Sequence, residues 1–277
     1  MYGQQGRDFN WLMGQYHPGL MQLNRRNADD HKIYGLLTFW YVFPGSCMDY
    51  LLDGIVTALQ LIVTLDAEVT HCTLVSLQVS SIAILLASLV GLPCSFLIGM
   101  YDFKGKKTVI TLFNTLMAIP TVVIGLFVFS FISRQGPLGV LGLLFTPAAM
   151  VIGQFLLATP IVVALSYAAI QGIDPRVKMT ALTLGARSHQ VIITLLLEAR
   201  FAIIAAVIAG FGRVIGEVGS AMMLGGNIRG YTRTISTAIA LETSKGEFSL
   251  GLALGMILLS VALSVNIALR YLQHKSK

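Results

Sequence analysis

At 277 residues, with 55% hydrophobic and 12% charged side chains, the chain carries about half the charge of a typical soluble domain, for which roughly 25% is usual. A mean hydropathy of +0.77 excludes a conventional soluble core and points to an all-α polytopic membrane protein, since the bilayer forces backbone groups to pair within helices or closed barrels. The net charge of +6 does not call for nucleic acid, because most of the cations border apolar runs, where orientation in the membrane accounts for them. Cys47, Cys72 and Cys94 are odd in number and lack paired metal spacing. They read as small hydrophobes, and no metal site is expected.

Residues 1–47 read as an N-terminal arm without an assignable function. Its first thirty residues are polar, contain Arg25-Arg26 and lack the apolar core of a cleavable signal peptide, and Tyr34–Phe43 is apolar but too short to span. Residues 48–277 read as the membrane domain. Its first segment, Met48–Leu65, has apolar residues at helical spacing and is expected to lie at the membrane surface. The 33 residues between Glu68 and Asp102 carry no Asp, Glu, Lys or Arg, so a first crossing is expected over 72–100. After the loop 102–107, a second span over 108–133 contains Pro120, which should kink it. A glycine-rich turn (134–146) leads to a third span, 147–170, with Pro160 inside. A long fourth segment from Val191 to about Leu224 carries ionisable groups, and a fifth span covers Phe248–Leu269.

Five crossings place alternate loops on opposite sides. One set carries Lys104, Lys106, Lys107, Arg176, Lys178, Arg187, Arg270, Lys275 and Lys277; the other carries Arg134, Arg229, Arg233 and Lys245. The cation-rich set should face the cytoplasm, with the C-terminus. On that side lies the polar island QGIDPRVKMTALTLGARSHQ (171–190). Asp174 is placed to cap a helix whose first residue is Pro175, and Leu184-Gly185-Ala186 suits its sharp end. The residues alone leave two readings open: a plain interhelical loop, or a short helix offered to a partner.

The order Asp174-Pro175, then Thr180-Ala181-Leu182-Thr183-Leu184-Gly185-Ala186, resembles the cytoplasmic loop of ATP-binding-cassette (ABC) importer permeases. Aligned on Gly185, Met179-Thr180-Ala181 stand where that family has Glu-Ala-Ala. Ala181 and Gly185 match, whereas Met179 and the later Leu197-Glu198 (Leu-Pro in the family) depart. The resemblance implies that this loop is a coupling helix docking on an ATPase subunit, through Asp174, Pro175, Met179, Thr180, Ala181, Leu184, Gly185 and Ala186.

In the fourth segment Arg213 and Glu217 are four apart and can pair on one helix face. Charges at membrane depth turn toward protein or water. The pair reads either as a tie between helices or as part of a translocation pathway or dimer interface. Gly210, Gly212, Gly216, Gly219 and Ala221 would form a small-residue surface for close packing. The run Gly225–Arg233 is glycine-rich and cationic but lacks the Gly-Lys-Ser/Thr of a nucleotide loop. Arg229 and Arg233 there either meet an external binding protein or simply border the membrane.

From Gly212 onward, GRVIGEVGSAMMLGGNIRGYTRT and ALETSKGEF are similar to the tungstate branch of the molybdate/tungstate/sulfate permeases. This resemblance spans roughly 50–272 and implies a type I ABC importer fold like that of molybdate permeases. It implies a homodimer working with a cytoplasmic ABC ATPase dimer and an extracytoplasmic oxyanion-binding protein. ATP and magnesium would be bound by the ATPase, and this chain would hold no cofactor, metal or catalytic residue. Gly226 and Asn227, in the shared Gly-Asn element, join Arg213 and Glu217 as pathway or interface candidates. The expected cargo is tungstate, with molybdate or sulfate as alternatives. A secondary transporter or channel would show an internal repeat and its own coupling-ion groups; the sequence shows no repeat and only one charged pair in its apolar segments. An intramembrane enzyme is disfavoured by five scattered histidines without His-Glu-x-x-His spacing.

Overall fold

The structure, a computed structural model, describes residues 66–275 continuously, together with 52, 54–57, 59–60 and 63–64. The expected N-terminal arm lies outside the described residues, as does much of the expected surface helix over 48–65; the residues described there are helical apart from Thr64.

From residue 66 on, the described elements are helices: α1 (Ala67–Met100), α2 (Lys106–Met117), α3 (Thr121–Ile132), a 3-10 turn (Gly139–Leu141), α4 (Pro147–Gln171), α5 (Pro175–Thr183), α6 (Ser188–Ile215), α7 (Gly219–Gly225), α8 (Ile235–Ser244) and α9 (Phe248–Lys275). α1 starts before the expected Cys72, because the Asp66 carboxylate accepts from the Glu68 and Val69 amides and caps the helix there. α4 begins where expected, with Thr146 as cap and Pro147 at the first position, and carries Pro160 without a break. α1, α4, α6 and α9 are each long and apolar enough to cross a membrane.

The second span is not one kinked helix. α2 and α3 meet at 98°, with Ala118 closing α2 and Pro120 opening α3. Whether this bent pair crosses follows from the direction of its neighbours. α1 and α4 are parallel at a constant offset of 71 residues: Val79 shares a cluster with Met150, Gly91 lies against Val162, and Gly99 against Ile170. Two parallel spans joined by chain require a return crossing between them, and α2–α3 supplies it. α6 is antiparallel to α4, with Ala199 and Ile203 at Ile170, and Val214 at Leu157–Ala158. α9 is parallel to α1 again, passing from Cys72 (Leu254, Ile257) to the Ile84 level (Val261, Val265). The count of five crossings therefore holds.

The fourth segment, expected as one run, is also broken. α6 ends at Ile215, and α7 continues the crossing after Gly216–Val218. Its Ala221 reaches the level of Val79 and Met150, and Leu224 that of Ala149. α3 and α7, the second halves of two broken spans, pack side by side. A Cβ on Gly125 would stand 3.0 Å from the Ser220 Cα, and one on Gly219 2.9 Å from Val122 Cγ2. The first neighbour is backbone and cannot yield. Gly125→Val is expected to part α3 from α7 and destabilise the protein by about 1–3 kcal/mol, as overpacking does. The check is a lowered melting temperature in detergent.

Candidate functional site

The polar groups gather at three levels. At the end of α1 and α4, the loop Tyr101–Gly105 and helix α5 share one face. Asp102 accepts from Lys106 Nζ at 3.0 Å. That hydrogen bond and charge hold the Asp102 carboxyl below its ordinary value, and Lys178 of α5 adds to the shift, so the two loops are electrostatic neighbours. α5 is built as the sequence indicates: Asp174 accepts from the Arg176 amide at 2.9 Å, with Pro175 first. At its other end the Ala186 amide donates to Ala181 O and the Gly185 amide to Leu182 O, both at 3.0 Å. Gly185 has φ +81°. This is a Schellman stop, in which the left-handed residue is almost always glycine. α5 thereby leaves Met179, Leu182 and Leu184 exposed, Leu184 at 81%. Thr180, Ala181 and Ala186 lie on the same short helix and its cap.

At mid-depth stand Arg213 and Glu217. Phe211, Val214 and Ile215 pack with Ile84 and Ala158, which are the eighteenth of 34 residues in α1 and the twelfth of 25 in α4. Arg213 Nη1 donates to Glu217 Oε2 at 3.1 Å, and the side chains are 45% and 3% exposed. Glu217 Oε1 accepts from the Ser220 amide at 3.1 Å, and its carbonyl accepts from Ser236 Oγ at 2.9 Å. One carboxylate thus bridges the end of α6 and the start of α7. The pair ties two halves of one broken span; it does not join separate spans. The small-residue surface is split as well. Gly210 faces Ile84 and Val162, and Gly219 faces α3, whereas a Cβ on Gly212 or Gly216 would meet nothing within 4 Å.

Gly226 and Asn227 are not with this pair. They lie at the other end of α7, where Gly226 (φ +70°) caps the helix and Asn227 has φ +51°. A Cβ on Gly226 would stand 2.8 Å from Phe145 Cδ1. Asn227 Nδ2 donates to Thr237 O at 3.5 Å.

That outer level holds a residue the sequence reading missed. Glu68, in the first turn of α1, accepts from Arg229 Nη2 at 2.5 Å and Arg233 Nη1 at 2.6 Å. The only local signal was an acid just ahead of a long uncharged run. Lys245 pairs with Glu242 at 2.8 Å, so three of the four cations of this face are ion-paired, two of them to the single carboxylate of Glu68. Arg229 is 74% exposed and Arg233 14%, so Arg233 should carry the stabilisation, since exposed pairs contribute little. Glu68→Ala is expected to destabilise by about 2 kcal/mol and Arg229→Ala by less than about 1 kcal/mol, read as detergent melting temperatures. Among the described residues no group of three or more His, Cys, Asp or Glu could hold a metal ion.

Residues 91–277 match the family described as binding-protein-dependent transport system inner membrane component. The chain is 43% identical over 199 residues to a probable anion ABC transporter permease protein of Haloferax volcanii, covering 70% of this chain and 86% of that protein. It is 41% identical over 230 residues to the tungstate uptake system permease protein TupB of Campylobacter jejuni, covering 83% and 95%. In fold it is similar to a bacterial ABC transporter involved in import of the acidic polysaccharide alginate. There the TM-score is 0.65 at 19% identity, over 92% of this chain and 99% of that one. The all-α, roughly five-span importer fold implied by the sequence is the fold found.

Proposed function

The chain belongs to the binding-protein-dependent transport system inner membrane components, among the anion ABC transporter permeases, and on that premise we propose that it is the permease subunit of an ATP-driven tungstate importer. The observation that carries the cargo is its identity to the tungstate uptake permease over nearly that protein's whole length. Residues 48–277 are the permease domain, and two copies form the membrane part of the complex. ATP and magnesium belong to a pair of ABC ATPase subunits; this chain holds no cofactor and catalyses no bond cleavage.

The face carrying α5 is cytoplasmic. Lys104, Lys106, Lys107, Arg176, Lys178 and Arg187 lie on it, and the opposite face has its cations largely paired. The larger number of Lys and Arg on the α5 face supports this orientation, with the C-terminus on the same side. α5 docks on the ATPase through Met179, Thr180, Ala181, Leu184, Gly185 and Ala186, with Asp174 and Pro175 fixing where the helix begins. An oxyanion-binding protein delivers cargo to the opposite face. Nucleotide and loaded binding protein each favour one conformer, and only that difference in affinity drives the switch.

The test is uptake of labelled tungstate by proteoliposomes holding permease, ATPase and binding protein. Uptake should need ATP and withstand excess sulfate. Preferred uptake of molybdate or sulfate would move the cargo to those alternatives, and uptake without the ATPase would make the chain a secondary transporter or channel.

A further inference from the structure

Arg213 is a cation at mid-depth that its partner does not cover. Glu217 engages Nη1 alone, whereas a guanidinium carries five N–H donors, and the side chain stays 45% exposed. Facing hydrocarbon, such a group costs roughly 2.5–3.5 kcal/mol on insertion scales; facing water it does not. The flank of α6 beside it is unlike other exposed faces of the spans. Those carry large side chains, such as Leu85, Leu89, Val122 and Phe127. Along α6 and its C-cap, exposed positions at alternating steps of three and four are Ala202, Ala205, Ala209, Gly212 and Gly216. The last two have open space where a Cβ would project. Directly beyond Arg213 the helix breaks.

We propose that this flank of α6 lines an aqueous passage and that Arg213 is the cationic group a tetrahedral oxyanion meets at mid-depth. The inference rests on the transporter reading above and adds the residue that receives the cargo. One chain supplies one wall; a second copy supplies the other, so that two Arg213 side chains face a single passage and the site is incomplete without the partner copy. Each Glu217 is buried and engages Nη1 alone, so the station turns the cationic end of each pair to the passage while the carboxylate behind it weakens the attraction. It offers an anion hydrogen-bond donors without trapping it, as a pathway that must release its cargo requires.

The test uses the assembled complex in native membranes and reads thiol accessibility, not import. In Ala209→Cys, one turn from Arg213, labelling by membrane-impermeant anionic (sulfonatoethyl) and cationic (trimethylammonium) methanethiosulfonates is measured above that of the parent chain. After correction for the reagents' rates with a free thiol, Cys at 209 should react, with the anionic reagent favoured by about threefold or more. The preference should vanish when Arg213→Gln/Glu217→Gln is added and persist with Arg213→Lys. Ala202→Cys, roughly 16 Å from Arg213 along the helix, should react with little preference, which supplies the distance dependence even where the neutralised variant fails to assemble. No reaction at 209, or a preference that ignores Arg213 and distance, overturns the proposal. Neither rate involves tungstate, so a complex that imports another anion, or none, leaves this result readable.

Discussion

Gly185→Val is expected to abolish transport while the permease still reaches the membrane. The reason is backbone geometry. Gly185 sits at φ +81°, where a residue with a Cβ costs roughly 1–2 kcal/mol and a β-branched one fits worst. Within the chain nothing lies within 4 Å of where the Cβ would be, so no clash opposes the change. What fails is the stop of α5: the Gly185 and Ala186 amides lose Leu182 O and Ala181 O, and Leu184 and Met179 leave the register in which α5 presents them. A 9-residue helix has little intrinsic stability to resist this. Gly185→Asn separates conformation from close approach, because asparagine tolerates the left-handed region. If only φ matters, Asn should retain most uptake and Val almost none. If a partner's backbone presses on this position, both should fail. Co-purification of the ATPase, and its stimulation by loaded binding protein, read the outcome; a valine variant that still couples would show the stop to be idle.

Helix α5 was legible because everything that builds it is local. An Asp-Pro start and a Leu-Gly end are cap signals, and both caps form. The alternation of loop charge was legible for a similar reason, since it depends on composition at span ends and not on contacts. The two broken spans were not. Pro120 indicates a disturbance, but a kink and a 98° break differ only in what the second half packs on. That is decided by Gly125 against Ser220 and Gly219 against Val122, contacts about a hundred residues apart. For the same reason Gly216, where α6 stops, could not be told from Gly210, where α6 simply packs closely on Ile84 and Val162. Glu68 was invisible as a partner because Arg229 and Arg233 lie 161 and 165 residues away. Arg213 and Glu217 were found by helical spacing; that their carboxylate also receives the Ser220 amide required the break.

Breaking that pair should be asymmetric, and the burial of its members sets the order. In Arg213→Gln the carboxylate of Glu217, 3% exposed, is left without its cation. Removing one member of a buried pair is strongly destabilising, by about 3–5 kcal/mol. In Glu217→Gln the unpartnered group is Arg213, 45% exposed, which water can reach, and the new amide oxygen can still accept from the Ser220 amide. That loss should be smaller, about 1–3 kcal/mol, because an exposed charge is largely compensated by solvent. Glu217→Ala should exceed Glu217→Gln, since it also strands the Ser220 amide where α7 begins. The double variant Arg213→Gln/Glu217→Gln leaves no uncompensated charge and should be more stable than Arg213→Gln alone, which is the mark of coupled neighbours. Melting temperatures of the detergent-solubilised complex and the fraction of dimer on gel filtration measure all four. Additive losses, or a double variant weaker than either single one, would mean that the two groups act separately and that Glu217 holds the broken span through the Ser220 and Ser236 contacts alone.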